Sequence, residues 1–288
     1  MIISKISNKT KNKINLFLLK LLRVLLFALI LFVIIIPIIK VFLDTINASD
    51  YSDHYVFIPT KVTFNLYKRI LRDYFQKNYL THSLIIATLS SLIQVCVCSM
   101  AGFAFAKLKF KGSNFLFWCI IFTLFMTFES LERTYNNLFV YYPLFGIKFF
   151  GNKNAIFYLY MIGAGIKAPV FIYLFRNSFR NMDEEVLDQA RIDGCSVPKT
   201  FLKVALPLAK DSIFSCFFIT FIWEYNDYTY PMFFSYASSG FSTVTLEVAI
   251  GRFGAGTNAV ALSMVVPILI IYLILVKTLF NSIAKDHM

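Results

Sequence analysis

The chain has 288 residues, of which 58% are hydrophobic and 15% charged, with a formal net charge of +12 and a mean hydropathy of +0.67. Soluble domains run at roughly 45–50% apolar and about 25% charged. The apolar residues here come in long runs, so an integral membrane protein is expected and a soluble one is not. The positive charge does not point to nucleic acid. The basic residues flank apolar runs, where membrane topology and anionic lipid explain them, and no aromatic–basic interleaving of an RNA-binding kind lies outside those runs.

In chain order, six stretches approach the roughly 20 apolar residues that cross a hydrocarbon layer: about 24–43, 83–106, 114–128, 155–175, 212–234 and 258–280. The third is short and rich in Phe, and the fourth contains Lys167. The first follows basic residues, as a signal peptide does, but its apolar run is too long and no small-residue cleavage pattern follows closely, so it reads as a retained anchor. With the N-terminus inside, the inner side collects Lys5, Lys9, Lys11, Lys13, Lys20 and Arg23, then Lys107, Lys109 and Lys111, then Arg176, Arg180, Arg191, Lys199, Lys203 and Lys210, and finally Lys277 and Lys285. The basic residues between Lys40 and Lys77 run against this pattern, in a long loop where the rule is weaker.

The expected fold class is therefore an all-α membrane protein with six transmembrane helices, N-in and C-in. Residues 1–23 form a basic cytoplasmic N-terminus, 24–43 the first transmembrane helix and 44–82 an external loop with a short amphipathic helix over 67–78. Residues 83–280 form a core of five transmembrane helices that includes a cytoplasmic segment at 181–210, and 281–288 form a cytoplasmic tail. Residues 129–154 are external, and the aromatic stretch 138–150 dips toward the membrane. Cys96, Cys98, Cys119 and Cys216 lie in apolar runs, Cys195 does not, and His54, His82 and His287 are far apart in sequence. No zinc-type spacing results, and packed, reduced thiols are expected.

The cytoplasmic segment is the most informative. Residues 181–194 read as a short helix: Asn181 as its cap with Glu184 three residues on, Asp183, Glu184 and Glu185 in the first turn where the helix dipole favours anions, and Val186, Leu187 and Ala190 as an apolar stripe. Gly194 stops it, because a left-handed turn needs no Cβ. Ser196 caps a second short helix from 197 to about 204, which Leu206-Pro207 ends. From the residues alone, this pair reads either as an ordinary amphipathic surface loop or as a knob that docks into a partner's groove.

The segment resembles the coupling motif of ABC importer permeases: Glu-Ala-Ala, then Gly after three intervening residues, then nine residues before Ile-x-Leu-Pro. Asp188-Gln189-Ala190 stands at the Glu-Ala-Ala place, Gly194 follows at the matching spacing, and Val204-Ala205-Leu206-Pro207 closes the pattern. Asp188 and Gln189 depart from it. Arg191-Ile192-Asp193-Gly194 resembles the carbohydrate-type permeases, as do 101–112, 223–231 and 242–246. The resemblance spans about residues 80–280 and is to the second permease subunits of maltose and glycerol-phosphate importers.

The resemblance implies a permease subunit in a bacterial cell membrane that forms half of a solute path. Its partners would be a second permease subunit, two ATPase subunits, an extracellular solute-binding protein and the lipid bilayer, with no nucleic acid. It implies ATPase coupling through Glu184, Glu185, Asp188, Ala190, Asp193, Gly194, Leu206 and Pro207. It implies no enzyme activity and no cofactor of its own, ATP being bound by the partner. The residues agree that no Gly-x4-Gly-Lys-Ser/Thr phosphate loop is present. Charges inside a membrane are costly and default to functional candidates, so Glu224, Asn226, Asp227 and Lys167 are candidates for the solute path, with packing against the second permease as the plainer alternative. A Glu–Lys or Asp–Lys pair among them is one arrangement. The competing classes are an importer of another solute, such as a peptide, polyamine or glycerol phosphodiester, and a membrane-embedded transferase. The second would have to rest on Glu129, Glu132 and Arg133, which lack a His or metal-ligand partner.

Overall fold

The computed structural model describes residues 2–46, 62–108, 110–126, 155–165, 167–235 and 242–286, and it is helical throughout with no strand among them. The aromatic stretch 138–150 and the cluster Glu129, Glu132 and Arg133 lie outside the described residues. The chain divides into two compact units, one of Met1–Ile70 with Gly254–Ser263, the other of Leu71–Phe253 with Met264–Met288.

In the first unit a single helix runs over Ile2–Ile46, extending the expected anchor at both ends. Its apolar window, within Leu16–Ile46, has no buried residue. A surface of Leu, Ile, Val and Phe left open over that length is what lipid or another apolar helix covers. The helix end is tied to the next element: Thr63 N donates to the Ile46 carbonyl, and the Thr45 and Tyr67 hydroxyls lie 2.8 Å apart. The amphipathic helix expected over 67–78 forms at Asn65–Gln76.

The second unit is organised on the helix Tyr79–Lys107, whose buried face carries Ile86, Ser90, Gln94, Cys98, Gly102 and Phe103. Against it pack the helices Ala168–Arg180 and Lys210–Asn226. Gly102 permits the closest approach: a Cβ there would sit 2.5 Å from Phe175 Cβ and 2.9 Å from the Arg176 backbone nitrogen. Phe103, Phe179 and Phe201 then interlock, with ring centroids 5.1–6.1 Å apart. Arg176 reaches out of this core to the helix Ser113–Phe122. It stacks on Phe117 at 3.9 Å and donates to Asn114 Oδ1 at 3.2 Å. Cys96 and Cys119 are exposed where packed thiols were expected; Cys98 and Cys216 are buried.

Three helices are long and apolar enough to cross a membrane unbroken: Leu16–Ile46, Tyr79–Lys107 and Thr257–Ile274. The third expected span is described as a helix over Ser113–Phe122 with a 3-10 turn to Phe125. The fourth and fifth are each broken. Ala155–Met161 and Ala168–Arg180 are separate helices, because Gly163 (φ 83) and Lys167 (φ 51) adopt left-handed backbone between them. Lys210–Asn226 ends at Asp227, whose backbone is extended, and Thr229–Ser235 follows. Backbone unwound inside a membrane must find its hydrogen bonds within the protein. Here it does: the Tyr230 hydroxyl donates to the Ala164 carbonyl (3.0 Å), and the Thr245 hydroxyl donates to the Asp227 carbonyl (2.8 Å).

Candidate functional site

The segment 181–210 forms the helix Glu184–Ile192, a left-handed turn at Gly194 (φ 78) and the short helix Val197–Thr200. The expected stop at Gly194 is therefore present. Ser196 takes the N-cap position of Val197–Thr200, as expected, though without a side-chain cap bond, whereas the cap of the first helix differs. Asn181 still belongs to the preceding helix, its N–H bonded to Asn177, and Asp183 takes the N-cap position without a side-chain cap bond. Leu206-Pro207 does not end the second helix. After Thr200 the chain widens into a π-helical stretch over Phe201–Ala205, continues through Leu206–Leu208, and then bends by 80° into Lys210–Asn226.

The helix Glu184–Ile192 has two distinct faces. Leu187 (1% exposed) enters the same buried cluster as Phe103, Phe179 and Phe201, and Ala190 (8%) is buried beside it on the helix. Val186, expected in that stripe, is exposed. Glu184, Glu185, Asp188, Asp193, Gly194 and Pro207 are exposed, whereas Ala190 faces inward and Leu206 is half-buried against the core. Asp188 is ion-paired to Arg191 at 2.8 Å, with both side chains open to solvent. One residue of this face, named above only within the Arg191–Gly194 match and not among the coupling residues, is Ile192, 84% exposed. The signal was available, since Ile192 falls five residues after Leu187 and so off the i, i+3, i+4 stripe. The segment is anchored by Lys107 Nζ, which donates to the Met182 carbonyl at 3.1 Å.

The membrane-embedded candidates separate. Glu224 is 4% exposed and accepts a hydrogen bond from the Tyr160 hydroxyl on Oε2. Its Oε1 has no hydrogen-bond partner among the described residues. Asp227 caps the helix that follows, accepting from Thr229 N (3.2 Å) and Tyr230 N (3.0 Å). Asn226 is exposed and donates to the Ile222 carbonyl of its own helix. Lys167 is exposed and holds its ammonium over the Trp223 ring at 4.4 Å. The structure thus joins Lys167 to Trp223 and Glu224 to Tyr160, and forms no carboxylate–lysine pair among the four. The two helix breaks meet at Tyr160 and Tyr230, whose rings cross at 5.9 Å, and Gly165 makes room for them: a Cβ there would lie 2.5 Å from Gln94 Oε1 and 2.6 Å from Tyr160 Cδ1.

The Tyr160–Glu224 bond has a measurable consequence. Tyr160→Phe strips the buried carboxylate of its one hydrogen-bond donor in the described chain, which costs about 1–3 kcal/mol or more. The thermal unfolding midpoint in detergent should fall. The double variant Tyr160→Phe, Glu224→Gln should lose less than the sum of the two single changes, because the two groups are directly coupled.

Residues 99–285 match the family of binding-protein-dependent transport system inner membrane components. The chain belongs to that family. It is a multi-pass inner-membrane transport component, not an enzyme, and the segment 181–210, the polar elbow that Tyr160, Glu224 and Tyr230 form between the two helix breaks, and the buried phenylalanines Phe103, Phe179 and Phe201 all fall within the matched span. It is 26% identical over 208 residues to the sn-glycerol-3-phosphate transport system permease protein UgpE of Yersinia enterocolitica, covering 67% of this chain and 68% of that one. It is 28% identical over 160 residues to UgpE of Escherichia coli, covering 53% and 51%. Its fold is similar to a chain in the crystal structure of a bacterial ABC transporter involved in the import of the acidic polysaccharide alginate. That match has a TM-score of 0.70 at 18% identity and covers 90% of this chain and 96% of that one.

Proposed function

We propose that this chain is one of the two membrane-spanning subunits of an ATP-driven importer for a sugar, sugar-like or glycerol-phosphate solute. The observation that carries the reading is the exposed acidic face of Glu184–Ile192 with its Gly194 turn, standing on a buried apolar root within the matched family span. The UgpE relatives, named for glycerol-3-phosphate transport, support the solute class. In this reading six helices cross the membrane with both termini inside, and the broken fourth and fifth count as one crossing each. Glu184, Glu185, Asp188, Asp193 and Gly194 dock on an ATPase subunit, while Ala190, Leu206 and Pro207 set the shape of the knob. A second permease subunit completes the path, a binding protein delivers solute from outside, and the chain holds no cofactor because ATP sits on the partner. Lys167 and Asn226 line the path, and Glu224 and Asp227 hold the elbow behind it.

The test is reconstitution of this chain in proteoliposomes with a second membrane subunit, an ATPase subunit and a solute-binding protein from the same organism. ATP-dependent uptake of a labelled sugar or sugar phosphate is expected, lost when the binding protein is left out. Uptake without ATP, or no association with an ATPase subunit, overturns the reading.

A further inference from the structure

Lys167 carries a charge at a depth where charges are costly. The helix that begins at the next residue, Ala168–Arg180, has 13 residues, so Lys167 stands about 20 Å from its basic end at Arg180. That is well inside a hydrocarbon layer roughly 30 Å thick. A lysine at that depth must face a partner or a wet path. Its backbone is left-handed, an uncommon conformation for a residue with a side chain, and its ammonium rests on the Trp223 ring.

The choice of partner is informative. A carboxylate would neutralise the ammonium and take up its donors. An indole face holds the cation by its quadrupole and leaves the charge intact, and three N–H donors remain to be shared. The carboxylate that could have served, Glu224, turns into the subunit and accepts from Tyr160 instead. Phe171, fully buried, braces the indole from behind with ring centroids 5.3 Å apart. On the same helix Ile219, Trp223 and Asn226 fall at i, i+4 and i+7, so they share one face. Ile219 and Asn226 are exposed on it.

We propose that Lys167, seated on Trp223, binds the anionic group of the transported solute, and that this importer therefore carries a phosphorylated or uronic-acid sugar rather than a neutral one. Asn226, whose side-chain nitrogen is spent on Ile222, offers its oxygen to a sugar hydroxyl on the same face. This inference rests on the importer reading above and names the solute class for it.

The experiment uses the complete importer in proteoliposomes, with sn-glycerol-3-phosphate, a galacturonate disaccharide and maltose as probes. The wild type should take up at least one of the two anionic probes in preference to maltose. Lys167→Gln should cut that uptake about tenfold or more, the loss expected for one hydrogen bond between charged groups. Lys167→Arg should keep most of it, and both variants should still assemble. Uptake confined to maltose overturns the proposal, as does an unchanged rate in Lys167→Gln. So does a Lys167→Gln subunit that no longer assembles, since the ammonium would then be pairing with a carboxylate of the second membrane subunit. Failure of the importer reading itself looks different: no probe enters in an ATP-dependent way even with the wild type.

Discussion

Gly194→Val should leave the importer assembled and still hydrolysing ATP while its solute uptake falls by about fivefold to thirtyfold. The reason lies in the backbone alone. Gly194 has φ 78 and nothing within 4 Å of where a Cβ would stand, so a side chain meets no obstacle. What it meets is the left-handed conformation, which costs an ordinary residue roughly 1–2 kcal/mol, more when the Cβ is branched. A penalty of that size shifts a conformational equilibrium by about fivefold to thirtyfold. The turn would open, and Glu184–Ile192 would no longer hold its angle to the chain that follows. Gly194→Asn is the control: Asn enters the left-handed region readily, so uptake should stay near wild type. Normal uptake by an assembled Gly194→Val importer would remove the coupling role from this segment.

The second large effect is on stability. Gly102→Ala should lower stability by roughly 1–3 kcal/mol, the usual cost of overpacking, and Gly102→Val should do worse. Here the obstacle is steric: the new methyl would press on the Cβ of Phe175 and the backbone nitrogen of Arg176, neither of which can swing aside. The helices Tyr79–Lys107 and Ala168–Arg180 would have to separate, loosening Phe103 from Phe179. Thermal unfolding in detergent and membrane yield both measure this. A Gly102→Val protein with unchanged midpoint and yield would mean that the two helices do not meet at this point.

The two glycines also mark what the sequence could and could not disclose. Gly194 was legible because its requirement is local: a polar helix that stops at a glycine forecasts a left-handed turn wherever the segment lies. The helix start was misplaced because Asn181 and Asp183 are both good caps. What decides between them is that the preceding helix runs on to Arg180 and keeps the Asn181 N–H. The breaks in the fourth and fifth spans were hidden for another reason. Hydropathy sums side chains and is blind to backbone, so 155–175 reads as one apolar run although Gly163, Gly165 and Lys167 interrupt it. Glu224 and Lys167 were recognised as costly charges, but which of them faces inward depends on Tyr160 and Trp223, both remote in sequence from the group they meet. Ala190 and Leu206 were picked by motif position, and their side chains serve the root of the knob rather than its exposed face.

Leu187 sits in one close-packed cluster with Phe103, Phe179 and Phe201, and Lys107 is clasped to the Met182 carbonyl. Interiors packed to crystal-like density barely compress. The short helix is therefore a rocker arm welded to its shaft: displacement applied at Glu184 or Ile192 reaches Tyr79–Lys107 and Ala168–Arg180 without lost motion. The π-helical stretch and the 80° bend before Lys210 are tied into the same shaft, because Phe201, Ala205 and Ala209 are buried in that cluster too. On the importer reading, a push on the short helix is shared among the second, fourth and fifth spans, and a cavity opened at Phe201 would loosen all three at once.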